Sequence, residues 1–373
     1  MRRCFKHSKH TKLMCNLVTF QMIRSRTSFF GLFFLLLCAG CVLEQDKKVP
    51  PKQNLCHYSK YLHISKLTNG FDIQISNPDF PMQKIRIVVT RPYQRIALMS
   101  ATHVGMMAAI QQQAKICAVS DAKYVHDPKV IGWVKKNKIQ DLKAELGLSA
   151  FKMLQSRPQI VVYSGFGNEK EQLKRLHSSK IVYIPNYEWR EKTPLARAEW
   201  VLFFGVLSGE FEKAQGYFSD VEKKYLGLKK RIHNNDQCNQ HKVLISGNLY
   251  GDQWIAPAGQ SFEARLYRDA GLAYVFSAEK GTGSIFKSLA EIIRKGTVAN
   301  IWLNPGLSSR SKILRQYPKA KFFPFFKQPI YCYTSNTNKY WELAAVHPDW
   351  LLSDLNEIAM GKPKKMHFYS LLE

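Results

Sequence analysis

A chain of 373 residues that is 45% hydrophobic and 12% aromatic can build more than one globular core and is not a disordered composition. Its 55 lysines and arginines against 28 acidic residues give a net charge of +27. The basic residues are scattered without a long run, which sets nucleic acid aside as a partner. The eight cysteines are too few and too dispersed for a disulfide scaffold or a zinc-ligand set.

The chain opens on a leader. Phe29 to Leu37 is an apolar run far shorter than the roughly 20 residues a membrane-spanning helix needs. Basic residues precede it and Cys-Ala-Gly-Cys follows, the pattern of a secretory signal with a lipoprotein cleavage site. Residues 1–40 are therefore expected to be removed, leaving Cys41 as the lipidated first residue of the mature protein; a start at Met22 would make a leader of ordinary length. A diacyl anchor holds a protein at a membrane, here the inner or outer membrane of the cell envelope. Residues 42–51 then serve as a polar tether within a leading segment, 41–82.

A βα pattern follows. Gln83–Val89 and Arg95–Met99 are predicted strands on either side of the Arg91-Pro92 turn. Thr102–Gln112 is an amphipathic helix capped by Ser100 or Thr102, and Ile116–Val119 a buried strand. Helices are expected over 128–137, 149–156 and 169–178, with strands at 158–163 and 181–184. This first α/β lobe spans 83–192.

From Thr193 to Ile232 the pattern is helical. Leu195, Ala198 and Leu202 repeat on one face, then Phe211, Ala214, Phe218, Val221, Tyr225 and Leu228. Ser208-Gly209 divides the stretch into two consecutive helices or one kinked helix; of two helices, one is expected to connect the halves and the other to pack on the second lobe. The second lobe, 233–373, resumes with strands at 242–246 and 298–303. Helices are expected at 261–270 with Gly271 as C-cap, and at 289–295, 309–317 and 349–360.

Several segments in this order resemble one family. They are RIALMSATHVGMMAAI, RPQIVVYSGFGNEKEQLKRL, TPLARAEWVLFFGVLSGEFEKA, the Trp254–Gly271 run WIAPAGQSFEARLYRDAG, IWLNPG, NKYWE and HPDWLLSDL. Together they resemble the solute-binding proteins of ABC importers for vitamin B12, ferric siderophores and haem, in particular lipoprotein members from Bacteroidetes-type bacteria. The resemblance implies two Rossmann-like lobes, each with a mostly parallel sheet, joined by a long rigid helix: the class III periplasmic binding protein. It implies a monomer that carries a ferric siderophore, haem or cobalamin in an interlobe cleft, downstream of a TonB-dependent outer-membrane receptor, and delivers it to an ABC permease and ATPase. The alternative is a surface lipoprotein that captures such a ligand for an outer-membrane receptor and has no permease.

In open parallel sheets the ligand crevice lies at the carboxyl ends of the strands. The loops there are rich in aromatics and glycine, and Tyr250, Trp254, Tyr340 and Trp341 are the candidate contacts. His103 either faces the cleft or caps its helix. Arg265 either pairs with a ligand carboxylate or phosphate, for which a guanidinium offers two parallel donors, or makes a structural salt bridge. The family resemblance also implies an acidic docking residue on each lobe. Glu291 matches in the second; in the first, Ser149-Ala150-Phe151 stands where the glutamate is expected, and Glu145 is the nearby substitute. No Walker A, G-x-S-x-G or H-E-x-x-H motif points to an enzyme.

Overall fold

The structure, a computed structural model, describes residues 53–144, 147–165, 181–234, 242–333, 339–361 and 366–373. The leader, Cys41, the tether, Glu145 and the helix expected at 169–178 lie outside the described residues.

The first lobe begins earlier than its sequence pattern suggests. Strands β1 (Leu62–Lys66), β2 (Phe71–Ser76) and β3 (Lys84–Val89) form an antiparallel meander. Residues 62–66 and 71–76, read as part of the leading segment, are thus strands. Ile64, Ile73 and Ile75 point into the core while Gln74 between them does not, the alternation of a sheet with one buried face. Gly70 makes the β1–β2 turn possible: its φ is +94°, and a Cβ there would stand 2.1 Å from the Val89 carbonyl oxygen.

The parallel sheet uses β4 (Ile96–Leu98), β5 (Ile116–Val119), β6 (Gln140–Asp141), β9 (Ile160–Tyr163) and β10 (Val182–Pro185), in the order β10-β9-β4-β5-β6. A small ribbon, β7 (Lys143–Ala144) with β8 (Gly147–Leu148), follows β6. ICAV and IVVY are buried at every position because the sheet is covered on both faces. Ile96 and Leu98 pack into the larger core, and Ala97 and Met99 into a smaller one on the opposite face with Val161 and Tyr163.

The connector is three helices. Pro194–Ala198 is capped by Thr193. Val201–Ser208 is apolar all round and buried at every residue, and such a helix can only sit inside a core. It sits inside the first lobe's core, which corrects the expectation that the helix not connecting the lobes would pack on the second lobe. Gly209, at φ +79°, ends it. Phe211–Asn234 then runs for 24 residues, roughly 36 Å at 1.5 Å per residue. Its Phe211, Ala214, Phe218 and Val221 belong to the first lobe's core, and Tyr225 and Ile232 to the second's. This long helix is the spine. Gly205 lets the two helices touch, since a Cβ there would lie 2.5 Å from that of Ala214. Gly205→Val is expected to lower the unfolding free energy by about 1–3 kcal/mol through overpacking, measurable by urea denaturation.

The second lobe has β11 (Val243–Ser246), β14 (Ala273–Tyr274), β16 (Ile301–Leu303) and β17 (Ile330–Cys332) in parallel, with β18 (Ser370–Leu371) antiparallel at the edge; the order is β14-β11-β16-β17-β18. A second, antiparallel sheet joins β12 (Asn248–Tyr250), β13 (Gln253–Pro257) and β15 (Ser284–Ser288). Helices Phe262–Asp269, Leu289–Gly296 and Arg310–Gln316 are capped by Ser261, Ser288 and Ser309. The lobe also gives residues back. Tyr340–Leu343 packs on the first lobe's helix Ala101–Ala109, and Ala345 and Val346 join the first lobe's core. Pro348–Met360 then returns to the second core through Leu351, Leu352, Leu355 and Ile358. Residues 51–373 accordingly form one compact unit.

Candidate functional site: an interlobe cleft

The cleft follows from the strand order. In the second lobe β11 has β14 on one side and β16 on the other, so the loops leaving β11 and β16 diverge and open a crevice at the strands' carboxyl ends. Ser246, Gly247 and Asn248 come off β11, Asn304, Gly306 and Ser308 off β16, and Cys332 and Tyr333 off β17. Ile255, Ala256 and Pro257 of β13 and the Thr282–Ser284 loop extend this wall. The stretch entering the connector supplies the opposite side: Trp189, Arg190, Glu191 and Arg197. The cavity measures about 1160 Å³, above the roughly 300–1,000 Å³ of most small-molecule pockets.

Glycine and left-handed backbone shape this floor. Gly247 has φ +120°, and a Cβ on it would be 2.1 Å from the Ile255 carbonyl oxygen. Asn304 ends β16 at φ +60°, a conformation asparagine tolerates better than most residues.

The cavity's guanidiniums are held by carboxylates behind them. Arg190 donates to both oxygens of Asp79, at 2.7 and 3.1 Å, and lies over the Trp189 ring at 5.2 Å. Arg197 is half-buried, with 17% of its side chain exposed, donates to Glu188 Oε2 at 2.9 Å, and stacks over Phe262 at 4.5 Å. Burial works against its charge, but Glu188 outweighs that and holds the guanidinium pKa up. Glu191 turns away from the cavity. Its carboxylate accepts from Ser59 Oγ, from the amides of Lys60 and Tyr61 at 3.1 Å, and from Trp200 Nε1 at 3.1 Å. Burial raises its pKa, and these bonds counteract part of the rise. Lys312 is exposed at the rim and donates to Ser308 Oγ at 2.8 Å. The cavity therefore presents pre-oriented guanidinium and aromatic surfaces, and the chain's large positive charge is not concentrated there.

Of the residues singled out from the sequence, Trp341 lines the cavity. It is 52% exposed and stands edge-on to Tyr340 at 5.2 Å and to Tyr333 at 5.7 Å. Tyr340 is buried behind it, stacked on Tyr333 at 3.6 Å, so it supports the wall. Trp254 is placed differently. It is 0% exposed, its indole N–H donates to the Ser246 carbonyl at 3.0 Å, and its ring packs on Trp302, Phe323 and Phe325. The alternation along β13 turns Trp254 into the core and leaves its neighbour Ile255 on the cavity wall. Tyr250, at 73% exposure, is on the surface and away from the cavity lining.

His103 is buried in the first lobe with its ring 5.5 Å from Phe204. Burial holds its pKa down at about 3, so it is neutral. The cap of its helix is Ser100, whose Oγ accepts from Thr102 N. Arg265 is half-buried on helix Phe262–Asp269 and does not line the cavity. Glu291 lies in a surface cluster with Lys287 at 3.2 Å and Lys295 at 3.8 Å. Sequence reasoning missed Arg190, Arg197, Phe262 and Glu263. Arg197 sits in the PLARAEW run quoted for the family resemblance, but helical spacing alone does not show that its side chain reaches the cavity.

No family model matches the sequence. The chain is 26% identical to an uncharacterised lipoprotein of Methanocaldococcus jannaschii over 301 residues, 76% of this chain and 69% of that protein. Among solved structures it is similar to a periplasmic haem-binding protein of Pseudomonas aeruginosa, with TM-score 0.58 and 14% identity over 75% of this chain and 98% of that one. It is also similar to the periplasmic vitamin B12-binding protein of Vibrio cholerae, with TM-score 0.53 and 12% identity over 74% and 99%. The fold is that of the class III periplasmic binding proteins: two α/β lobes joined by a helical spine. Among the described residues no helix is long and apolar enough to cross a membrane.

Proposed function

We propose that the protein is a lipid-anchored solute-binding protein of the cell envelope. It takes up a large ligand, an iron complex (ferric siderophore or haem) or cobalamin, in the interlobe cleft and delivers it to an ABC permease and its ATPase. The observation that carries this reading is the cavity of about 1160 Å³ at the carboxyl ends of the second lobe's strands, closed by Trp189, Arg190 and Arg197 from across the cleft and bordered by Trp341. A large ring system fits such walls through stacking and guanidinium contacts. The helical spine limits motion between the lobes, so closure on the ligand is small. Glu291 remains the second lobe's candidate for contact with the permease.

Titration of intrinsic tryptophan fluorescence with haem, cobalamin and a panel of ferric siderophores tests the proposal. Quenching by one of them with a stoichiometry near one is expected, because Trp189 and Trp341 border the cavity. Quenching by none of them would sink it. Trp341→Ala is expected to weaken binding about tenfold, equivalent to roughly 1.4 kcal/mol, and to leave the denaturation midpoint nearly unchanged because the side chain is largely exposed.

A further inference from the structure

The segment that carries Trp341 also ties the second lobe to the first. Glu342, next to Trp341, is 1% exposed, and its carboxylate accepts from the backbone N–H of His126 and, at 3.3 Å, from that of Asp127. One residue earlier, the Trp341 carbonyl accepts from Thr102 Oγ1 at 3.0 Å. Beneath them lies Gly105, where a Cβ would stand 1.9 Å from the Glu342 carbonyl oxygen. Only glycine allows the segment to lie directly on helix Ala101–Ala109. Four contacts, from three places in the first lobe, converge on two consecutive residues of the second.

We propose that Glu342 is a positioning residue of the cleft: by clasping the 126–127 turn of the first lobe it sets where Trp341 stands on the cavity wall. The consequence for a ligand rests on the cleft reading above, whereas the clasp itself is tested without any ligand.

The clasp responds to pH. Burial is the main influence on Glu342 and raises its pKa to about 7, with the two amide donors counteracting part of the rise. Asp127 acts on it as a like charge and Lys339 as an opposite one. The helix beneath contributes one titratable side chain, His103, held neutral against Phe204. A carboxyl group whose folded pKa lies above its unfolded value stabilises most at low pH and loses that contribution as pH rises through the folded value. The clasp therefore loosens progressively from about pH 5, and the loss is nearly complete by about pH 8.

The test uses the whole chain with Glu342→Gln and Glu342→Ala. In the unmodified protein, hydrogen-exchange protection at the amides of His126 and Asp127, corrected for intrinsic rate, is expected to fall about tenfold from pH 6 to pH 8. In Glu342→Gln, which keeps an acceptor and cannot ionise, the protection is expected to be level across that range. In Glu342→Ala it is expected to be lost at both pH values. Acrylamide quenching of Trp341, taken as the difference between each protein and its Trp341→Phe counterpart, is expected to rise about twofold in Glu342→Ala and to stay unchanged in Glu342→Gln. Unmoved Trp341 quenching in the alanine variant, or the same fall of protection with pH in the glutamine variant, overturns the proposal. Glu342→Gln decides the pH response even if the alanine variant does not fold. A ligand titration that fails while these results hold would remove the ligand reading and leave the clasp.

Discussion

Trp254→Ala is expected to lower the unfolding free energy by about 3–5 kcal/mol, the range for deleting a buried aromatic from a core. The side chain is fully enclosed by Trp302, Phe323 and Phe325, with ring centroids 5.5 to 6.0 Å from its own. Its neighbours are themselves large rings packed against one another, so the space left behind cannot readily collapse. The change also strands the Ser246 carbonyl that accepts from the indole N–H. Urea denaturation of the purified protein measures the effect. A loss below about 1 kcal/mol would place Trp254 outside the core and return it to the candidate ligand contacts. Compared with Trp341→Ala, the result separates a core tryptophan from a cavity tryptophan within one chain.

Arg197→Ala is expected to cost about 3–5 kcal/mol, because it leaves the buried Glu188 carboxylate without its ion-pair partner. It also removes the guanidinium stacked on Phe262, at the cavity wall. The double replacement Arg197→Met with Glu188→Leu removes both charges, and it should be markedly more stable than Arg197→Ala alone. Thermal or urea unfolding of the two variants provides the comparison. Equal stability of the two would mean that the pair is not buried as a unit. Ligand affinity should stay low in both variants if Arg197 touches the ligand.

Local signals in the sequence marked much of the fold. ICAV and IVVY are short apolar runs, and they are fully buried strands. Ser261, Ser288 and Ser309 cap helices where the sequence predicts helix starts, because a serine hydroxyl accepting from the amide three residues on is a local interaction. The antiparallel sheet of β12, β13 and β15 was not legible. Its outer strand, Ser284–Ser288, pairs with a strand about 30 residues away in the chain, with Trp254 opposite Lys287. That pairing is what assigns Trp254 to the buried face. Tyr250, Trp254 and Trp341 look alike as loop aromatics in the sequence, yet one is a surface residue, one a core residue and one a cavity residue.

The sequence by itself determined that two α/β halves flank a helical connector, since periodicity and caps are properties of neighbouring residues. Only the tertiary structure decided that the 24-residue helix after Gly209 is the spine and that the apolar helix before it belongs to the first core. It also decided that residues 340–346 cross back to the first lobe, and that Arg197 and Trp341 meet the cavity while Trp254 does not. Each of these outcomes depends on which distant segment covers a given face, and burial against a distant partner leaves no mark in the local spacing of residues.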